Sequence, residues 1–323
     1  MMVSFIIIGR NEGWKLTQCI KSIDETIKYN KLKSSELIYV DSNSKDNSIE
    51  RAKKFKEVRI FKLIEMYNPA IARNIGALNS TGDILIFLDA DMTIHPNFLK
   101  SIIVKNQLVH PLIGGVVIDV GIDSDRNIIN ETPYHYKSKP FYKLITGGAF
   151  VINRKEWLLV DGMDNRFIRG EDPELGIRIA DQKIFLKSYP NTFVYHYDDK
   201  IKSNIPLSLK NLNKSILFSN MLIYRKNIFS IFAWKRFYSH EKSLIALIIS
   251  LFCVFIFNSI LFILFYLVLL VLRSVRNSSK SRIYEQFIYY LIRDVIVLVG
   301  FFTFFPNKIN TSKIKFEKIS GNH

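Results

Sequence analysis

Two carboxylates one residue apart, Asp89 and Asp91, close an apolar run in the segment ILIFLDADMT. In an extended strand, side chains two positions apart point to the same side, so both acids can face one ligand. A pair so placed suits a hard divalent cation, Mg2+ or Mn2+, the usual partner of a diphosphate. Its contribution would be electrostatic, stabilising charge that grows on a departing phosphate oxygen without moving a proton. A polar turn after a buried strand would leave the same letters, so the surroundings have to decide. Two other acidic positions carry the same ambiguity. Asp41 ends the run ELIYVD and either faces a ligand or opens a Ser/Asn-rich turn, with Asp46 capping the next helix. Asp172 follows Glu171 and precedes Pro173, a placement that also makes a good helix N-cap.

Such groups act together only if a scaffold aligns them. Short apolar runs alternate with amphipathic stretches up to about residue 200, the pattern of an α/β domain. Strands are expected at residues 3–8, 36–41, 58–63, 84–89 and 193–196, and helices after the Asn68-Pro69 and His95-Pro96 pairs. The alternation predicts a mostly parallel sheet flanked by helices, spanning residues 1–205. Ligands of such sheets sit at the carboxyl ends of the strands, where Asp41, Asp89 and Asp91 lie.

The C-terminal part has another character. Of the formal net charge of +16, most belongs to residues 201–323, which carry 17 Lys+Arg against 4 Asp+Glu. Those basic residues flank 29 uncharged residues, 244–272, more than the 20 or so that cross a bilayer as a helix. Basic residues beside a hydrophobic block face acidic headgroups, so a membrane is expected as partner and nucleic acid is not. Because Lys and Arg stand on both sides, the run is either a hairpin turning near Asn258 and Ser259 or one tilted span. Residues 283–305 are apolar but hold Glu285, Arg293 and Asp294, so they either lie along the interface or form a second membrane helix with those charges paired. Residues 206–243 read as amphipathic, basic connecting helices, 244–305 as the membrane-associated part, and 306–323 as a basic tail that is solvated or rests on headgroups. Cys19 and Cys253 are the only cysteines, which excludes a disulfide framework, and no signal peptide is expected at the N-terminus.

Four blocks, in order, give residues 2–200 a family likeness. They are VSFIIIGRNEGWKLTQCIKSI, ELIYVDSNSKDNSIERA, NPAIARNIGALNSTGDILIFLDADMT and TGGAFVINRKEWLLVDGMDNRFIRGEDPELGIRI. Together they resemble family 2 glycosyltransferases of the GT-A fold, of the membrane-associated bacterial type, which are inverting enzymes using nucleotide-sugars. The resemblance implies that Gly9, Arg10, Asn11 and Glu12 form a nucleotide-facing loop, although the family more often has a small residue and an aromatic where Gly9 and Arg10 stand. It implies that Asp41 contacts the base, Arg73 the diphosphate, Asp89 the ribose or base together with the metal, and Asp91 the metal. Gly147 and Gly148 would let backbone approach the donor sugar. Glu171 and Asp172 match the family's acidic pair, with Asp172 as the base that takes the acceptor's proton. His196 stands where some relatives complete the metal site or touch the diphosphate, and it is otherwise a structural histidine beside a strand.

The function so implied is transfer of a hexosyl or N-acetylhexosaminyl group from a nucleotide-sugar, UDP-linked by family habit. The acceptor hydroxyl would be lipid-linked or part of a glycan, and the setting cell-surface polysaccharide synthesis. The catalytic domain would be cytoplasmic, at the inner membrane, with Mg2+ or Mn2+ as cofactor. Two rivals differ in class. A catalytically decayed nucleotide-sugar binding or scaffold protein is opposed by the joint presence of Asp41, Asp89, Asp91 and Asp172. A nucleotidyltransferase is opposed by the loop GRNEG, poor in glycine and lysine.

Overall fold

The computed structural model describes residues 1–134, 136–199, 214–277 and 282–320. The chain forms two compact units, one of residues 1–201 with 307–323, the other of residues 202–306. The expected boundary at 205, residues 206–213 of the connecting segment and Lys280 lie outside the described residues.

The first unit opens with β1 (Val3–Gly9), α1 (Gly13–Tyr29), β2 (Ser35–Asp41), α2 (Ser48–Ala52), β3 (Val58–Leu63), α3 (Pro69–Leu78) and β4 (Ile84–Asp89). It continues with β5 (Met92–Ile94), α4 (Phe98–Ile102), β6 (Ile103–Val104), β7 (Gln107–Leu108), β8 (Leu112–Ile122), β9 (Ile128–Tyr134) and β10 (Phe141–Lys143). Then come β11 (Phe150–Asn153), α5 (Arg154–Leu159), α6 (Glu171–Asp181) and β12 (Leu186–Asp199). The main sheet runs β10-β12-β8-β11-β4-β1-β2-β3, followed by a last strand from the C-terminus. The parallel character expected from sequence is concentrated in β4, β1, β2 and β3. Beyond β4 the sheet turns mixed: β11 is antiparallel to both β4 and β8, while β8 and β12 are parallel.

The residues of β1 explain why it is central. Val3, Phe5 and Ile7 enter one core with Leu16, Cys19, Ile20 and Ile23, a stripe along α1. Ile6 and Ile8 enter the opposite core with Ala72 and Ile75 of α3. A strand buried on both faces has no polar face to give to water, hence its unbroken apolar run. Asn68 caps α3 as expected, accepting from the Ile71 N–H at 2.8 Å. The helix after His95-Pro96 starts later, at Phe98, because His95 and Pro96 first make a turn in which the His95 carbonyl accepts from the Phe98 N–H.

The C-terminal residues depart from expectation. The basic tail does not stand off in solvent: β13 (Phe316–Ser320) pairs antiparallel with β3 and closes that edge of the sheet. Phe316 meets Phe61 edge-on at 5.7 Å, and Ile314 is buried in the core beside α3. Removing residues 307–323 would uncover the β3 edge, which invites pairing with other chains. The truncated protein is expected to melt lower and to elute in size-exclusion chromatography as soluble aggregate; a monodisperse product with unchanged Tm would refute this.

Among its described residues the second unit has helices and no strand: α7 (Lys214–Lys226), α8 (Ile231–His240), α9 (Lys242–Phe257), α10 (Leu261–Asn277) and α11 (Ile283–Thr303). The uncharged run 244–272 is not one helix; it breaks at Asn258, which adopts a left-handed conformation (φ 48°), so the single tilted span is set aside. Two of the three charges of α11 are paired: Arg293 binds Glu241 and lies 2.8 Å from Asp294, which accepts from the Tyr266 hydroxyl at 3.3 Å, whereas Glu285 Oε2 is buried without a hydrogen-bond partner. Among the described residues one helix, α11, is long and apolar enough to cross a membrane, and α8 with α9 qualifies as a pair bent by 90°.

Candidate active site

The parallel strands bring the acids together by register. Ile8 of β1 stands opposite Asp89 of β4, and Gly9 opposite Asp41 of β2, so the three chain ends open on one edge of the sheet. There a cleft of about 240 Å3 is lined by Gly9, Arg10, Glu12, Tyr67, Asp89 and Asp91, among others. The Arg10 guanidinium lies over the Tyr67 ring, 4.9 Å from its centroid. Sequence reading had not picked out Tyr67, which sits in an irregular segment with no local pattern around it.

Arg73 is the brace of the site. It is 2% exposed, and its two terminal nitrogens donate to Asp89 Oδ1 at 2.7 Å and to Glu171 Oε1 at 3.0 Å. The diphosphate role that the resemblance implied therefore differs from what its neighbours show, since both terminal nitrogens already serve carboxylates from β4 and α6. Asp89 is likewise held by arginine rather than presented beside Asp91 as a matched pair. Burial pushes the Asp89 carboxyl up to about 7, against the pull of Arg73. Gly148 makes room for this arrangement: a Cβ there would stand 2.2 Å from Asp89 Oδ2.

Asp172 lies in the first turn of α6, and it is not the cap: that position is Gly170, in a left-handed conformation. Its carboxylate instead turns back to accept from the Gly147 N–H at 3.3 Å. Gly147 itself has φ 72° and open space where a side chain would stand. Burial pushes the Asp172 carboxyl up to about 6, with repulsion from Glu171 adding to it and Arg73 opposing. The close approach of α6 to the segment that follows β10 depends on Gly176, whose Cβ would overlap the Leu144 carbonyl at 1.5 Å. Lys143 was missed by sequence reading; burial lowers its pKa and the Asp172 charge counters that.

On the other side of Asp89, His196 of β12 joins two acids. Its Nε2 lies 3.4 Å from Asp91 Oδ2 and its Nδ1 lies 2.9 Å from Asp119 Oδ1. The bond to Asp91, and after it that to Asp119, hold the imidazolium up to about 9 against burial. Asp119 also went unread. It reaches His196 through the β8–β12 register, across 77 residues of chain. Asp91 Oδ1 is buried without a hydrogen-bond partner, an atom suited to a cation. Among the described residues no set of three or more His, Cys, Asp or Glu is gathered as a metal site, so any cation here must draw further ligands from substrate and water.

Several expected contacts turn out to be internal. Asp41 is fully buried and accepts from the Tyr39 hydroxyl and the Ser44 N–H, both at 2.7 Å, which is the turn alternative rather than an open face toward a base. Asn11 ties its loop to the next one, receiving the Lys45 N–H at 2.7 Å and giving its own N–H to Ser44 at 2.9 Å. The N–H groups of Glu12 and Gly13 donate to Ser48 Oγ, while the Glu12 residue lines the cleft. Gly9 is required by packing, since a Cβ would stand 2.5 Å from that of Ala90. The buried amide of Asn74 bonds Met163 and Asn165, and Asn165 in turn bonds Ile309 and Thr311.

A half-parallel sheet whose strand ends deliver a braced acidic cluster to one cleft defines a GT-A domain. Residues 4–153 match the family described as Glycosyl transferase family 2, and residues 128–200 match the N-terminal domain of galactosyltransferase. Human polypeptide N-acetylgalactosaminyltransferase 15 is 28% identical over 121 residues, which are 34% of this chain and 19% of that protein. A crystal structure of GalNAc-T7 with UDP, GalNAc and Mn2+ superposes with a TM-score of 0.55 at 19% identity, covering 69% of this chain and 48% of that one. TarS residues 1–349 of S. aureus, in complex with UDP-GlcNAc, superposes with a TM-score of 0.52 at 13% identity over 72% of this chain and 68% of that one. The chain thus spans about a fifth of the curated relative's length and about half of GalNAc-T7's. Both matched stretches lie within the N-terminal unit, whose fold is that of the GT-A glycosyltransferases.

Proposed function

We propose that the protein is an inverting glycosyltransferase that moves a sugar from a UDP-linked donor to a hydroxyl of a lipid-linked or glycan acceptor at the cytoplasmic face of the cell membrane. The observation that carries this reading is the chain Asp89–Arg73–Glu171, which ties Asp89, lining the cleft beside Asp91, to the helix start that carries Asp172. Fold alone would not suffice, because α/β scaffolds host many chemistries. The solved relatives bound to UDP, or to UDP-GlcNAc, support the choice of nucleotide.

In this mechanism the acceptor hydroxyl attacks the anomeric carbon from the face opposite the nucleotide and gives its proton to the Asp172 carboxylate. Arg73 holds Asp89 and Glu171 in place, which fixes the helix start that carries Asp172. The stacked Arg10 and Tyr67 offer a flat cationic face to the nucleotide at the cleft. Asp91, through its unpartnered Oδ1, would hold a Mg2+ or Mn2+ ion, joined by His196 once its imidazolium gives up the proton shared with Asp91, with Asp119 orienting the ring. When bound, that ion neutralises charge on the leaving diphosphate.

The test is a donor screen on the full chain purified in detergent. UDP and its sugars should raise Tm only with Mn2+ or Mg2+ present, and UDP should be released once acceptor-bearing membranes are added. No protection by any nucleotide-sugar, or protection without release on any membrane, would overturn the transferase reading; the latter would favour a binding protein.

A further inference from the structure

We infer that the helical unit is a wedge that enters one leaflet of a bilayer and returns, with no helix crossing. The inference rests on the reading that this unit meets lipid, and three observations carry it. The first is connectivity. The chain leaves the sheet after β12 and rejoins the same sheet through β13, so both ends of the helical unit start from one aqueous side. Any path between them must cross the membrane an even number of times. A lone crossing by α11, the helix long enough for it, is therefore forbidden unless something else crosses back.

The second observation is the shape of the α9–α10 hairpin. Its arms of 16 and 17 residues reach about 24 and 25 Å, short of the roughly 30 Å hydrocarbon core. The turn at Asn258 is flanked by exposed Phe255, Phe257, Ile260 and Leu261, with no charged side chain between Lys242 and Arg273. A hairpin crossing the membrane twice would place that turn among the far headgroups, where aromatic belts and Lys or Arg anchors stand. Here the cations stand at the opposite end: Lys242 opens α9 while Arg273 and Arg276 close α10, the arrangement of an apolar tip below a basic collar.

The third is α11 itself. Arg293, at its middle, binds Glu241 at the mouth of the hairpin, so mid-helix lies at collar level. Arg282 precedes its first turn, and at its far end Arg225 donates to the Phe301 carbonyl at 3.1 Å and covers the Phe305 ring at 4.0 Å. A helix preceded by one arginine, carrying another at its middle and met by Arg225 of α7 at its end belongs to the headgroup region. The perpendicular α8, with exposed Ile231, Trp234 and Tyr238 beside Lys235 and Arg236, has the composition of an interfacial helix.

The experiment uses the full chain in vesicles of phosphatidylcholine and phosphatidylglycerol, with Cys253→Ala as background; Cys19 is buried and the background protein measures its labelling. In N258C, labelled with an environment-sensitive fluorophore, lipids nitroxide-tagged on the acyl chain should quench the emission, and iodide should not, whether added outside or trapped inside. In T303C, an impermeant maleimide added outside should react as it does with a cysteine on the surface of the catalytic unit. Quenching of N258C by iodide on either side, or labelling of T303C only from within, would overturn the wedge. UDP protection measured on the same samples separates the outcomes, since a failed donor reading leaves the quenching pattern interpretable and a failed wedge leaves donor binding intact.

Discussion

Asp172→Asn is expected to lower kcat by about 10²- to 10⁴-fold, the usual worth of a positioned general base, while leaving UDP protection in the thermal assay unchanged. Asparagine preserves shape and can still accept from the Gly147 N–H, so the loss isolates proton transfer from architecture. A second signature is pH. With the carboxyl pushed up to about 6, kcat/KM of the unmodified chain should rise as pH passes through that value and flatten above it, because only the ionised form accepts a proton. Stability runs the other way. A carboxyl whose folded pKa is raised binds its proton more tightly in the fold than in the unfolded chain, so its cost to stability appears as pH climbs from about 4 to 6. Asp172→Asn should therefore melt higher than the parent at pH 7.5 and match it near pH 3.5. Equal turnover at pH 7.5 would remove Asp172 from the mechanism; a lower Tm there would remove the electrostatic account.

Arg73→Ala should be the most damaging single change to the fold of the site. Arg73 is buried between two carboxylates, and deleting one partner of a buried pair costs about 3–5 kcal/mol because the opposite charge is left uncompensated. Here two acids, on β4 and α6, would repel across the gap. We expect a large fall in Tm together with loss of nucleotide protection, greatest at alkaline pH and partly relieved as pH falls to about 7 and below, because Asp89, raised to about 7 even with Arg73 beside it, then takes up a proton. Arg73→Lys should keep the charge yet not the two-pronged geometry, giving an intermediate Tm and weak turnover. A variant Arg73→Ala that melts within a degree or two of the parent would show that the guanidinium is not the brace we describe.

The elements that were legible in the sequence were those whose signals are local. β2 and β4 are apolar runs ending in an acid, and Asn68-Pro69 starts α3 as written. What could not be read was the division of labour among the charged groups. Arg73, Asp89 and Glu171 each looked ready for substrate, and only the meeting of α3, β4 and α6 shows that they satisfy one another. Asp119 had no chance of being noticed, because its partner is set by strand register and the hairpin around it carries no motif. Asp172 resembled a cap because Pro173 follows it, yet Gly170 with its positive φ starts the helix two residues earlier. The strand at the C-terminus did leave a trace: Ile314, Lys315, Phe316 and Glu317 alternate apolar and charged, and the surrounding lysines hid that period behind net charge.

The amide relay from Asn74 through Asn165 to Thr311 sets a timetable for biosynthesis. During translation the first two hundred residues emerge long before the strand that seals their outer edge, and the apolar helices are made in between. Until Thr311 and the strand Phe316–Ser320 leave the ribosome, the helix bearing Arg73 lacks part of its support and β3 lies bare. Completion of the fold is thereby postponed until after the hydrophobic helices have been synthesised, so a nascent chain stalled before then should stay idle.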